Sequence, residues 1–349
     1  AGWPLLPVTR SMSEKQLVGR VDRILVVNVA RIGDTILAVP VLKALRARYP
    51  QAEIVCLAHP KRLEVLQGLS CIDRCAPISK RSAPFMAWFG QQYDLALVFG
   101  HERALLRYAL RASRQVVALP SGDPRLDSRL LVKIQDQGTL HAVHDRLRWL
   151  SAIGIPASSL RLDYCVAESE RRVALDWIAK HCSTHRPLIG FQIASFPTKA
   201  YRNWPTGHFK ALGQQIFDHY PDAQILVFGD KTDAEAGGAL ARALGPRCHC
   251  VAGQFSLRGT LALMQNLDFY VGVDTGPTHL AGALGLPMVA MYHCLHQGRY
   301  LAPLDHPAYL GGVEHPATGD ACSVERTMVE ISVDDVWKHV SRALQAVAT

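Results

Sequence analysis

The sequence predicts a doubly wound α/β fold built as two units, each a largely parallel sheet with helices on its faces. Three observations predict it. Short apolar runs rich in β-branched residues alternate along the chain with longer stretches whose apolar residues recur at helical spacing. The short runs are apolar at nearly every position instead of every second one, as strands buried on both faces require. The pattern also starts twice, near Arg23 and again near Pro187, with a polar, irregular stretch at 156–170 between the two starts.

In the first unit, 23–30 reads as the opening strand, Arg31-Ile32-Gly33-Asp34-Thr35 as its exit turn and 36–49 as a helix. Strands follow at 52–58 and 93–99; Gly100-His101-Glu102-Arg103 leaves the latter, and 121–128 is a turn-rich surface loop. Residues 141–154 form an amphipathic helix closed by Gly154. His141 and His144 stand three apart on it, a spacing open to metal, but no third ligand is near, so they are expected at a surface or an interface.

The second unit opens with a helix at 171–181 and a strand at 187–193. The loop 194–205 carries Ser195, Thr198, Lys199 and Arg202 at that strand's carboxyl end, with Trp204 expected to anchor it to the core. A helix at 208–220 and a strand at 223–228 follow, then an exit bearing Asp230 and Asp233. A strand at 249–253 and a helix at 256–264 lead into 267–285, where a buried strand to 273 turns at Asp274-Thr275-Gly276-Pro277 into a helix over 278–284. The last strand is 287–292, its polar exit 293–299, and a capped amphipathic helix at 332–344 closes the pattern. Domain limits are therefore set at 21–165 and 166–330, with 331–349 a terminal helix; residues 1–20 stay outside the pattern and read as a leader foreign to the natural chain, whose start is expected near Met12.

Composition narrows the function. Net charge is +8, with 38 Lys and Arg against 30 Asp and Glu spread along all 349 residues, which favours anionic small ligands or an anionic membrane surface over nucleic acid. No apolar run approaches the roughly 20 residues of a membrane span. The nine cysteines are scattered without a CxxC pair, so most are expected reduced and packed as small apolar residues, as in a cytosolic protein, and zinc is not expected.

The elbow at 274–279 is the most informative stretch. Asp274 or Thr275 can cap the helix, Gly276 lets a ligand approach the backbone, Pro277 suits the first turn, and the free amides of that turn suit a diphosphate. A purely topological turn needs one cap, whereas Asp274, Thr275, Thr278 and His279 cluster within six residues. Asp34 lies at the carboxyl end of the first strand, the edge where open α/β sheets bind ligands, although it could equally cap its helix. Lys199 and Arg202 suit a diphosphate leaving group, and either Asp230 or Asp233 could take a ribose diol. Arg31, His101 and Arg103 are candidate contacts for a second substrate, with a solvated loop as the plainer reading of 101–103.

With these residues laid out, the chain resembles the glycosyltransferase family 9 heptosyltransferases. The resemblance runs from about Arg23 to Leu344 and rests on Arg31-Ile-Gly-Asp34, Arg202-Asn-Trp-Pro205, Phe228-Gly-Asp-Lys-Thr-Asp-Ala-Glu-Ala-Gly237 and Asp274-Thr-Gly-Pro-Thr-His-Leu-Ala281. It implies a GT-B architecture, two Rossmann-like domains facing across a cleft, with the acceptor on the first and an ADP-sugar on the second. It also implies metal-independent inverting transfer of heptose from ADP-heptose to a lipopolysaccharide core acceptor, without cofactor, at the inner face of the cytoplasmic membrane. Asp34 stands in the position of the general base, and the ADP diphosphate would leave into the amides of Thr275, Gly276 and Thr278, helped by Lys199 or Arg202.

Two departures stand out. Arg202 replaces the lysine common in the family, and 322–328 is looser than the usual Cys-Met pairing. Competing readings are the same fold with another nucleotide-sugar or a protein acceptor, a dehydrogenase, against which stands the absence of GxGxxG after either opening strand, and a binding protein without catalysis, which need not keep an acid at position 34.

Overall fold

A computed structural model describes residues 17–86, 92–135, 137–184 and 186–348. The leader reading falls mostly outside them. The first sheet comprises β1 (Arg23–Asn28), β2 (Glu53–Ala58), β3 (Arg74–Pro77), β4 (Tyr93–Phe99), β5 (Ser113–Ala118) and β6 (Val132–Lys133), all parallel in the order β3-β2-β1-β4-β5-β6. The second comprises β7 (Leu188–Gln192), β8 (Gln224–Phe228), β9 (Cys248–Cys250), β10 (Phe269–Val273), β11 (Met288–Tyr292) and β12 (Tyr309–Glu314) in the order β12-β11-β10-β7-β8-β9. Renumbered from its own first strand, the second sheet repeats the topology of the first. Both are the doubly wound order in which the winding reverses beside the first strand.

That reversal locates the chemistry. Ligands of such sheets bind at the carboxyl edge where the winding changes direction. In the first sheet this switch point lies between β1 and β4, so the loops after Asn28 and Phe99 flank it. In the second it lies between β7 and β10, flanked by the loop after Gln192 and the elbow after Val273.

The helices in chain order are α1 (Ile32–Ile36), α2 (Val39–Arg48), α3 (Ala83–Met86), α4 (Arg103–Ala112), α5 (Pro124–Asp127), α6 (Ala142–Ser151), α7 (Glu168–His181), α8 (Thr206–His219), α9 (Ala234–Leu244), α10 (Leu257–Met264), α11 (Gly276–Ala283), α12 (Gly298–Leu301) and α13 (Val333–Ala348). The helix expected over 36–49 is thus two helices, and α1 begins before Asp34. The terminal helix set apart at 331–349 packs into the second domain, with Val336, Val340, Ala343 and Leu344 inside its core beside Phe209 and Phe269. Among the described residues no helix is long and apolar enough to cross a membrane.

One apolar cluster spans both domains, joining residues such as Ile36, Leu42 and Leu150 of the first to Leu261, Leu280 and Met288 of the second. Arg258 on α10 reinforces this seam: it donates to the Glu64 carbonyl at 2.8 Å and the Cys165 carbonyl at 3.0 Å, and it pairs with Glu170. His141, at the start of α6, bonds the Ala302 carbonyl at 2.9 Å, so it is an interface histidine. Burial pushes its imidazole down to about 4, which keeps it neutral there.

Cysteine use departs from expectation at one place. Cys294 and Cys322 form a disulfide that ties the exit of β11 to the chain near 322. Scattered spacing hid a pair brought together only by the fold. The other seven cysteines are free thiols, and burial raises Cys71 and Cys75 to about 11 and Cys248 to about 12, as packed apolar residues would be.

Candidate active site

The two switch points open on one cavity of about 240 Å³ between the domains. From the first domain Arg31, Gly33, Asp34 and Leu37 line it; from the second come Ser195, Lys199, Arg202, Asp274, Thr275, Gly276, His279 and His296. A larger hollow of about 520 Å³ lies at the opposite edge of the first sheet, between Arg20, Asp22, Arg48 and Tyr49. Doubly wound folds do not bind ligands at that edge.

Asp34 lies within α1 and caps nothing, since Arg31 is the residue before the first turn. The helix starts earlier than its apolar pattern indicates, and the Thr35 amide and hydroxyl both donate to the Arg31 carbonyl at 2.8 Å. Its carboxylate is half-exposed, and one oxygen accepts from Arg146 of α6 at 2.7 Å. Arg146 is itself largely buried and donates a second bond to the Ala142 carbonyl at 2.8 Å. The pair fixes the carboxylate's direction and leaves its other oxygen without a hydrogen bond among the described residues.

The opposite wall is a chain of polar groups built around a buried acid. Asp274, 2% exposed, accepts from Arg202 at 2.8 Å, while His279 stands 3.4 Å from its other oxygen. Burial alone would raise the Asp274 carboxyl; His279 and Arg202 outweigh it and hold the group below the ordinary range. Arg202 also donates to His296 at 2.8 Å, and the Tyr201 hydroxyl meets the same ring nitrogen at 2.9 Å. A nitrogen that accepts from an arginine carries no proton, so His296 is neutral with its proton on Nδ1. Burial, then the charge of Arg202, push it down to about 4. Lys199 donates to the Tyr201 hydroxyl at 3.3 Å.

Local sequence explains how the loop carrying these cations is held. Trp204 is buried and donates to the Ile331 carbonyl at 2.9 Å, and the Asn203 side chain accepts from the Ser195 amide at 2.7 Å. In the elbow, Thr275 precedes α11 and Pro277 lies in its first turn, so the Gly276 and Thr278 amides have no acceptor within the helix. Among the described residues the buried Thr275 hydroxyl and Arg202 Nε have no hydrogen-bond partner, and Asp274 Oδ1 has only the His279 ring at 3.4 Å beside it.

The other candidates lie apart from the cavity lining. The Thr278 hydroxyl is spent inside the elbow, donating to the Val273 carbonyl at 2.5 Å and meeting Tyr270 at 2.9 Å, and Pro277 serves the helix start. Thr198 is exposed. Asp230 takes the Thr232 amide at 2.6 Å and Asp233 the Asp230 amide at 2.9 Å, so both cap their own loop, and burial raises the Asp233 carboxyl. His101 is exposed at the first switch point, while Arg103 donates to the Ser121 carbonyl at 3.2 Å. Arg146 and His296 carry no motif of their own; their roles come from partners 112 and 94 residues away.

The two walls touch where α1 meets α11. A methyl group on Gly33 would fall 2.8 Å from His279 Cδ2, and one on Gly276 would fall 3.1 Å from Ile32. Gly33→Ala should therefore push the packed imidazole away from Asp274 with the fold intact, and weaken by about tenfold the binding of ADP that the family resemblance implies. Calorimetric titration with ADP checks this, and wild-type affinity in that variant would show that His279 is not needed where it stands.

Two doubly wound domains facing across a cleft, with an acid on one wall and cations on the other, have the architecture of the GT-B glycosyltransferases. Residues 109–316, more than half of the chain, match glycosyltransferase family 9 (heptosyltransferase), and the chain belongs to that family. It is similar to lipopolysaccharide heptosyltransferase 2 of Escherichia coli strain K12, 24% identical over 92% of this chain and 98% of that one. Solved structures agree on the fold. A family 9 glycosyl transferase from Veillonella parvula superposes with a TM-score of 0.79 at 19% identity, covering 93% of this chain and 97% of that one. The ADP-heptose lipopolysaccharide heptosyltransferase II of Escherichia coli does so with 0.75 at 21% identity, covering 94% and 100%.

Proposed function

We propose that the protein transfers heptose from ADP-heptose to a sugar of the lipopolysaccharide inner core, with inversion at the anomeric carbon and without a metal ion. The observation that supports this best is the single cavity onto which both Asp34 and the Arg202–Asp274 wall open. The acceptor hydroxyl loses its proton to the free oxygen of Asp34 while its own oxygen attacks the anomeric carbon. The bond from that carbon to the diphosphate breaks, and the charge that develops on ADP is met by Arg202, Lys199 and the first-turn amides of α11. Arg146 keeps the base pointed at the acceptor. Two fixed cations and a helix start can neutralise a leaving diphosphate, which is the role a divalent ion plays elsewhere.

Incubation with ADP-heptose and a panel of truncated lipopolysaccharide acceptors, read by mass spectrometry, should yield one acceptor lengthened by one heptose. The yield should survive EDTA. No heptose addition to any acceptor would overturn the donor and acceptor assignment, and loss of transfer in EDTA would overturn the metal-free scheme.

A further inference from the structure

The first domain carries a charged face that the proposed reaction does not use. On α4, Arg103, Arg107 and Arg111 recur every fourth residue and are exposed, while Leu105, Leu106, Tyr108, Ala109 and Leu110 face the core. The helix thus presents a basic stripe along its outer side. Helices α3 and α5 pack against it and extend the stripe. Lys80, just before α3, pairs with Glu102 at the start of α4, and Arg107 stands 3.9 Å from Asp123 at the start of α5. Arg125 and Arg129 are exposed on and after α5, and Arg129 reaches back to the Leu110 carbonyl at 2.7 Å. Residues 80–86 and 101–130 together hold eight Lys and Arg against three Asp and Glu, which is +5 of the chain's net +8. On α3, which packs against α4, Phe85 is 79% exposed, an aromatic ring left in water on the same side of the domain.

We infer that this face docks on an anionic lipid bilayer. A concentrated positive charge with a protruding aromatic side chain fits a negatively charged headgroup region, where basic residues gain from the surface potential and an aromatic ring inserts at the interface. Placement supports the same partner. Lys80, Arg103 and Arg125 follow the carboxyl ends of β3, β4 and β5, and because the sheet is parallel these lie on the edge that carries Asp34. A bilayer held there borders the mouth of the cleft. This rests on the proposed acceptor being lipid-linked, since such an acceptor presents its sugars from a membrane surface.

The test is flotation of the full chain with vesicles of phosphatidylcholine alone or with about one third phosphatidylglycerol. The wild-type chain should float with the anionic vesicles at low salt, remain free of the neutral ones and be released as salt rises. Arg107→Glu with Arg111→Glu should weaken anionic binding by tenfold or more, and Phe85→Ser by a smaller factor. Heptose transfer to a delipidated, water-soluble acceptor should stay unchanged in all three chains, which separates this inference from the reaction itself. Failure of the wild-type chain to bind anionic vesicles at low salt, or undiminished binding by the double variant, would overturn the assignment; the first result would leave the face to an acidic protein.

Discussion

Asp34→Asn should lower turnover by roughly 100-fold or more while leaving the dissociation constant for ADP within a few fold of wild type. The substitution keeps the volume of the side chain and removes the only acid among the described residues that line the first-domain wall of the cavity. A positioned general base contributes about 10²- to 10⁴-fold, and an amide cannot replace it. ADP affinity should hold because the anion cradle belongs to the other domain: Arg202, Asp274 and the start of α11 do not bond to Asp34. Stability should hold as well. The Asp34 carboxylate is 48% exposed, so its pair with Arg146 is screened by solvent and contributes at most about 1 kcal/mol. Steady-state transfer rates, ADP calorimetry and a thermal melt on one preparation separate the three quantities. A variant that transfers heptose at near-normal rate would remove Asp34 from the mechanism, and one that melts early would show that the carboxylate acts as structure.

The features legible in the sequence are those whose cause is local. The elbow could be read because a strand, a small residue, a proline and a helix follow one another within ten residues, and each choice has a reason at its own position. The loop before Trp204 could be read for the same cause, since an indole beside a proline at a helix start is a local anchor. Edge strands were another matter. β3 reads Arg-Cys-Ala-Pro, β6 is two residues long, and β12 holds two glycines, so none offers the continuous apolar run that marks a strand buried on both faces. β5 follows α4 with no turn residue between them, and nothing punctuates the change. Groups that work through distant partners were equally silent. Arg146 looks like one more charge on an amphipathic helix until α6 is laid beside α1, and His296 is an ordinary exit-loop histidine until Arg202 donates to it. Capping stayed open as the plainer reading of Asp34 because the apolar pattern of its helix begins only at Ile36, whereas the first turn starts at Ile32.

Arg202→Ala should be the most destabilising single change at the site, and its cost should exceed that of the conservative Arg202→Lys. Asp274 is 2% exposed and loses its closest cationic partner in the alanine variant, keeping only His279 at 3.4 Å. Removing one member of a buried pair typically costs about 3–5 kcal/mol, because the remaining charge has neither water nor a counter-ion. His279 remains beside the other oxygen of Asp274, which places the expected loss at the lower end. Lysine restores the charge beside Asp274 but has no planar fork with which to reach His296 as well, so it should forfeit one hydrogen bond, about 1 kcal/mol. The same geometry gives arginine at this position a use that lysine does not serve. Here the side chain must serve an acid and a neutral imidazole at once, and only a guanidinium has separate nitrogens for each. Denaturant melts of the two variants measure the stability difference, and ADP titration of the lysine variant measures how much the second arm contributes to holding the diphosphate. Equal stability of the alanine variant and wild type would mean that Asp274 is neutral in the folded protein. The cradle would then be organised by the helix start alone.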